Sequence, residues 1–287
     1  MTVAVVIPVG SVDAALEPQV RRVLGQDGVV LHELVLSVNS AEAEVVAGVA
    51  QVVAAVSDAR VRVIDSSPRR GAAHARNAGA GATTCSAIAF CDADDLVHEG
   101  WLAALVAGLE QFDAVSGRTI DVFPDPRMAD WYPPATPPGG LNSFLGRPYL
   151  LTGNLAVRRA AFEAVGGFDE TLTRCEDIAF SWALLDAGLT IGYADGAAID
   201  YRRREGVVPM LRQYYLYGRG MSEVLRTFGP PRHGEAARSR LHVLRPNGQR
   251  AARTTFVGTM RRGALAAGRV RGLVPWPHRA AQAEASP

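Results

Sequence analysis

Lysine is absent from this 287-residue chain, so all 30 of its basic residues are arginine. Cysteine is scarce. Cys85, Cys91 and Cys175 are an odd, unclustered set, which argues against a disulfide framework and offers no metal-type spacing; it suits a reducing compartment. Long apolar runs are missing too, none reaching the ~18 residues of a membrane span. Met1-Thr2-Val3 leads straight into an apolar strand without a basic leader segment. The expectation is therefore a cytoplasmic protein. What is present in quantity is hydrophobic residues, 48% of the chain, enough to bury a sizeable core in one large unit or two small ones.

Net charge is only +1, but it is unevenly spread. From Pro230 to Pro287 there are 11 Arg against Glu235 and Glu284, a net of +9, while the preceding residues hold 19 Arg against 27 acids, a net of −8. An acidic body with a basic tail speaks to partners rather than to fold. A helix is predicted near Arg253–Val270, with Phe256, Val257, Met260, Leu265 and Val270 alternating with Arg261, Arg262 and Arg269. It reads as a basic amphipathic segment for an acidic partner or the inner membrane surface, or as a helix docked on the protein's own acidic body. No nucleic-acid partner is expected.

Ala87-Ile88-Ala89-Phe90-Cys91 is a short run expected to form a strand buried on both faces, and Asp92, Asp94 and Asp95 follow it directly. An open α/β sheet places its ligand crevice at such a carboxyl end. If extended geometry persists, Asp92 and Asp94 project to one side and Asp95 to the other. Crowded acids call for a cation, and hard oxygen ligands suit Mg²⁺ or Mn²⁺, ions that commonly hold a substrate diphosphate. The plainer alternative is a solvated acidic turn ahead of the next helix.

Around this stretch strands alternate with helices, predicting a mostly parallel, doubly wound sheet. Strands are expected at Val3–Val9, Glu33–Val38, Val61–Ile64 and Ala114–Arg118, with helices after Asp13, over Ala41–Val56, from Gly71 and over Glu99–Leu109. Ile191–Ala194 and Ala198–Tyr201 read as two short strands, and Val208–Thr227 as a helix. The alternation stops between Pro124 and Pro148, which hold seven of the 17 prolines. A loop of that length is usually functional or mobile. Trp131, Tyr132 and Tyr149 offer ring faces on which the C–H face of a ligand could stack, or with which the loop could be pinned to the body. The division expected is a first half (1–118), a second half (119–228) with the Pro-rich loop at 123–148, and a basic extension (229–287).

The run Arg69-Arg70-Gly71-Ala72-Ala73-His74-Ala75-Arg76-Asn77-Ala78-Gly79, then Asp92-Ala93-Asp94-Asp95, then Gly166-Gly167-Phe168-Asp169-Glu170 and Glu176-Asp177 recur in this order. Together they resemble family 2 glycosyltransferases, over Val3 to about Gly220. The resemblance implies a GT-A fold with a Rossmann-like sheet. It also implies transfer of one sugar from a nucleotide-diphosphate sugar to a hydroxyl of a saccharide, lipid-linked or small-molecule acceptor, metal-assisted and with inversion. Gln213 and Tyr217-Gly218-Arg219 are similar to the ending of non-processive members.

By the same resemblance, Asp177 is the catalytic base with Glu176 beside it. Donor contacts fall to Pro8, Val9, Asn39, Arg70, Arg76, Asp92, Ala93 and Asp94, the metal to Asp94 and Asp92, and acceptor contacts to Gly153, Asn154, Trp131, Tyr132 and Glu176. Arg70 and Arg76 are expected to reach phosphate oxygens. Two departures stand out. Ser37 and Val38 occupy the position of the acid that grips the nucleotide base, and Tyr201 with Arg202-Arg203-Arg204 stands where many relatives carry a late metal-binding His. Arg202 and Arg204 could take over part of the charge neutralisation. A catalytically degenerate binding or scaffold protein of the same fold, or a sugar nucleotidyltransferase, are the alternative readings.

Overall fold

The computed structural model describes residues 1–137, 140–230 and 256–273. Its frame is an eight-stranded sheet in the order β3-β2-β1-β4-β9-β6-β10-β5. These strands are β1 (Val3–Val9), β2 (Leu31–Val38), β3 (Val61–Asp65), β4 (Ala87–Cys91), β5 (Leu96–Val97), β6 (Ala114–Val122), β9 (Asn154–Arg158) and β10 (Ile191–Arg202). Neighbours among β3, β2, β1 and β4 are parallel, as are β6 and β10. Strand β9 runs antiparallel between β4 and β6, and β5 antiparallel at the β10 edge. The strand order reverses between β1 and β4, which is where an α/β sheet opens its crevice.

Alternation along the strands divides the core into two layers. Val3, Val5, Ile7 and Val9 face one way, against α1 (Leu16–Leu24), α2 (Ala43–Val56) and α4 (Trp101–Gly108). Val6, Val35, Ile88 and Phe90 face the other, against α3 (Ala72–Gly81), α5 (Arg159–Ala164) and α6 (Glu176–Asp186). Every residue of β4 is buried, as a central strand covered by helices on both faces requires.

Several expected boundaries change. The two short strands expected near residue 191 are one strand, β10, with an irregularity between Ala194 and Ala198 where it pairs with β6. Strand β6 extends to Val122 and so runs past position 118. The Pro-rich segment carries regular elements: a 3₁₀ helix spans Pro126–Trp131, and a small hairpin joins β7 (Asn142–Phe144) to β8 (Arg147–Tyr149).

Helix α7 (Val207–Phe228) is the long partner of the C-terminal helix α8 (Phe256–Leu273). The two backbones touch. A Cβ at Gly218 would strike the Leu265 carbonyl and one at Gly268 the Tyr215 carbonyl, so neither position admits a side chain. Ser222 Oγ donates to the Arg269 carbonyl at 2.8 Å, and Arg261 lies over the Tyr214 ring. Of the two readings of this basic helix, the structure shows it docked on the body; residues 231–255 and 274–287 of the extension lie outside the described residues. Among the described residues no helix is long and apolar enough to cross a membrane.

Candidate active site

The carboxyl ends of β1 and β4 carry the residues expected on the donor side. Strand β4 ends at Cys91 and the chain turns at once, so the expected alternation of the acids is lost. Asp95, expected to point away, folds back into the cluster. A Cβ built on Gly153 would lie 2.8 Å from Asp92 Oδ2 and 3.5 Å from Asp95 Oδ2. A side chain at Gly153 would therefore displace the Asp92 carboxylate. Asp95 is 2% exposed, accepts one bond from the Arg202 amide at 3.2 Å, and leaves Oδ2 without a partner. Burial, then the charges of Asp92 and Asp94, push its carboxyl up to about 9. Asp94 is open at the surface, yet partial loss of water and then the Asp92 charge raise its carboxyl as well.

Gln19, buried in α1, was not singled out from the sequence. Its amide donates to the Asp92 carbonyl at 3.1 Å and accepts from the Val97 amide at 3.0 Å, fixing both ends of the acidic turn. Glutamine in a first helix is an ordinary residue, and no local pattern marks its reach across 73 positions.

Arg76 departs from its expected role. Its side chain is 4% exposed, and its terminal nitrogens donate to Asp92 Oδ1 at 2.6 Å and Glu176 Oε1 at 2.9 Å. It is not an exposed phosphate contact but a buried bridge between the acids of β4 and those of α6. Burial opposes its charge, but Asp92 and Glu176 outweigh that and raise its pKa. The adjacent Asn77 bonds the backbone N–H and C=O of Phe168 and, with His74 and Arg69, holds the Glu170 carboxylate. Gly167, at φ 75°, packs against the Asn77 amide. Helix α3 therefore holds the Gly-Gly-Phe-Asp-Glu loop at Phe168 and Glu170.

Helix α6 begins at Glu176-Asp177, preceded by Cys175 in the left-handed conformation at φ 66°. A non-glycine residue in that region is strained, and such strain concentrates at working sites. Asp177 Oδ1 accepts from the Ile178 amide at 2.8 Å. Burial and then the Glu176 charge push Asp177 up to about 7. Burial and then Asp177 in turn raise the Tyr149 hydroxyl. Tyr217 takes a bond from Gln213 at 2.8 Å and lies close enough to Asp177 to feel its charge.

The other expected site residues separate into those at the cleft and those inside the body. Pro8 and Val9 end β1, and Ala93 packs partly under the acidic turn. Arg70 is 75% exposed at the mouth of α3, 3.3 Å from Glu42. Asn39 is not free for a base: Nδ2 donates to the carbonyls of Ser66 (2.5 Å) and Arg69 (2.8 Å), and Oδ1 accepts from the Gly71 amide (2.7 Å). Asn154 is not at an acceptor surface. It is fully buried, bonded to Trp101 and to the carbonyls of Arg118 and Ala197. Tyr132 is likewise buried, its hydroxyl on the Arg204 carbonyl and its ring under Arg203, so it pins the Pro-rich loop. Trp131, half-buried, packs in the same cluster with Met210 and Tyr214. Of the three consecutive arginines, Arg202 reaches Asp13 at 3.3 Å and Arg203 is buried on Asp121 at 2.7 Å; Arg204 is exposed and its charge acts on Asp94.

A divalent ion fits the donor side in one particular way. Among the described residues no group of three or more His, Cys, Asp or Glu is arranged to enclose a metal. Mg²⁺ is commonly held by only one or two carboxylates together with substrate phosphates. The raised carboxyls of Asp94 and Asp95, and the unpartnered oxygen of Asp95, are what a cation would relieve.

Known proteins are similar to this chain in sequence and fold. The chain is 25% identical over 173 residues to the pre-mycofactocin glycosyltransferase of Mycobacterium tuberculosis, a match covering 55% of this chain but only 36% of that one. The mannosyltransferase PcManGT of Pyrobaculum calidifontis, solved with GDP-Man and Mn²⁺, superposes at a TM-score of 0.63 and 17% identity, over 95% of this chain and 76% of that one. GalNAc-T7, solved with UDP, GalNAc and Mn²⁺, does so at 0.60 and 18%, over 71% and 43%. These likenesses establish the GT-A fold. The family model described as glycosyl transferase family 2 matches residues 4–166, which take in the sheet's donor side and the helix that carries Arg76. The chain belongs to that family and carries its glycosyltransferase domain.

Proposed function

We propose that this chain moves one sugar from a nucleotide-diphosphate sugar to an acceptor hydroxyl with inversion at the anomeric carbon. The observation that carries the reading is Asp177, pushed up to about 7 at the start of α6, across Arg76 from the donor-side acids. A base whose pKa lies near the working pH is effective in both holding and receiving a proton. Asp177 removes the acceptor's hydroxyl proton as that oxygen attacks the anomeric carbon, and the bond from that carbon to the diphosphate oxygen breaks on the opposite face. Glu176, anchored to Arg76, fixes the turn that presents Asp177.

Asp92 and Asp94 would hold Mg²⁺ or Mn²⁺, which when bound neutralises the charge growing on the departing diphosphate. Arg204 and Arg70 add positive charge at the rim. Solved structures of the same fold hold UDP or GDP-Man together with Mn²⁺, which supports a nucleotide-sugar donor and a divalent ion here.

Incubation with a panel of UDP- and GDP-sugars, Mn²⁺ and hydroxyl acceptors tests the reading. Nucleoside diphosphate should be released, with the anomeric configuration of the product inverted by NMR. Release of pyrophosphate would make the chain a nucleotidyltransferase, and nucleotide binding without turnover a binding protein.

A further inference from the structure

Helix α3 touches both sides of the cleft through consecutive residues. Arg76 divides its two terminal nitrogens between Asp92 on the donor side and Glu176 on the catalytic turn. Asn77 and His74 hold Phe168 and Glu170 of the loop leading to that turn. The Arg76 side chain is 4% exposed and its Nε has no partner, so water is poorly placed to replace either carboxylate. The guanidinium also lies against the Phe168 ring, 5.9 Å from its centroid. Anything that changes how strongly Asp92 holds Arg76 must therefore change how strongly Arg76 holds Glu176.

We propose that Arg76 is a positioning residue that couples occupancy of the donor acids to the order of the catalytic turn. It rests on the proposed transfer reaction in one respect, that a metal-nucleotide engages Asp92. When Asp92 directs its lone pairs toward that ligand, the buried guanidinium shifts its bonding to Glu176. The Glu176-Asp177 turn tightens, and Asp177 is set for an acceptor only once a donor is present. By linkage, an ordered turn favours the donor equally. A purely structural tie would hold the turn to the same degree with the donor site empty or full.

Hydrogen exchange at the amides of residues 175–179 separates the two, with UDP and GDP as probes in the presence of Mn²⁺ and no acceptor needed. In the unmodified chain, saturation with the nucleotide that binds should slow exchange there by about tenfold. Arg76→Lys cannot span both carboxylates with a planar fork; it should still bind the nucleotide but lose the slowing. Glu176→Gln, which keeps the shape of the partner, should lose it too and serves if Arg76→Lys fails to fold. Slowing of the same size in either variant overturns the coupling. Nucleotide binding to the unmodified chain without slowing overturns it while leaving the transfer reaction standing. Binding of neither nucleotide overturns both.

Discussion

Asp92, Asp94 and Asp95 crowd onto a turn where, among the described residues, Arg76 is the only side-chain cation bonded to any of them, through Asp92, whereas Glu176 and Asp177 open a helix and Glu176 takes the other end of that arginine. At the end of β4, burial and the neighbouring charges push Asp95 up to about 9, so it keeps its proton at neutral pH, and its Oδ2 has no partner. At the start of α6, burial and the Glu176 charge push Asp177 up to only about 7, so it holds its proton less firmly. Two carboxylate clusters thus differ in how firmly they hold a proton, as the proposed cation-binding and proton-transfer roles require. The difference comes from surroundings, since helix start, burial and a single shared arginine act unequally on them.

The sharpest way to break this comparison is Asp177→Asn, which keeps shape and removes basicity. Sugar transfer should fall by roughly 10²–10⁴, the range for a positioned base, while nucleotide affinity measured by calorimetry stays close to that of the unmodified chain. Arg76→Met comes next, because it strands two carboxylates around a buried apolar side chain. Urea unfolding should show a loss of about 3 kcal/mol, the lower end for a broken buried pair, since the Asp92 side chain is 30% exposed.

On the donor side, Mn²⁺ with a nucleoside diphosphate at a hundred times its Kd should stabilise the chain by about 2.7 kcal/mol, seen as a rise in Tm. Asp94→Ala should remove the part of that rise that depends on metal. A smaller effect is the pH dependence of Asp177 itself. Its folded pKa is raised above the unfolded value, so its contribution to stability is present below about pH 4 and lost as pH rises through about 7. Asp177→Asn should therefore gain stability over the unmodified chain more at pH 8 than at pH 5, while transfer by the unmodified chain climbs over the same interval. The smallest change expected is Arg70→Ala. Its ion pair joins side chains that are 75% and 67% exposed, and its removal should leave Tm almost unchanged. A fall in nucleotide affinity in that variant would place Arg70 on the phosphates.

The sequence carried the frame of this arrangement. Apolar runs separated by helical periods foretold the parallel sheet, because a strand covered on both faces must be apolar throughout, as Ala87–Cys91 is. The acids at its end and the Glu176-Asp177 pair were legible as well, because their spacing along the chain is what the motifs consist of. Less legible was what each polar side chain bonds. Asn39, Asn154 and Tyr132 were read as facing ligand, and all three are engaged by backbone carbonyls, amides or rings from distant segments. An amide or phenol beside a motif looks the same in sequence whether it faces solvent or a neighbouring strand.

Arg76 shows most plainly what the chain's order determines and what it leaves to folding. That an arginine stands in the first turns of α3, behind a glycine and ahead of the acidic strand, is written in residues 71–95. That it meets Asp92 16 positions later and Glu176 100 positions later was decided only when α3 and α6 packed on the same face of the sheet. Periodicity and motif are local quantities and survive in a linear reading. Burial, shared hydrogen bonds and the pKa of Asp177 depend on which distant groups are brought together and on how much water remains between them, and those were decided by the tertiary structure.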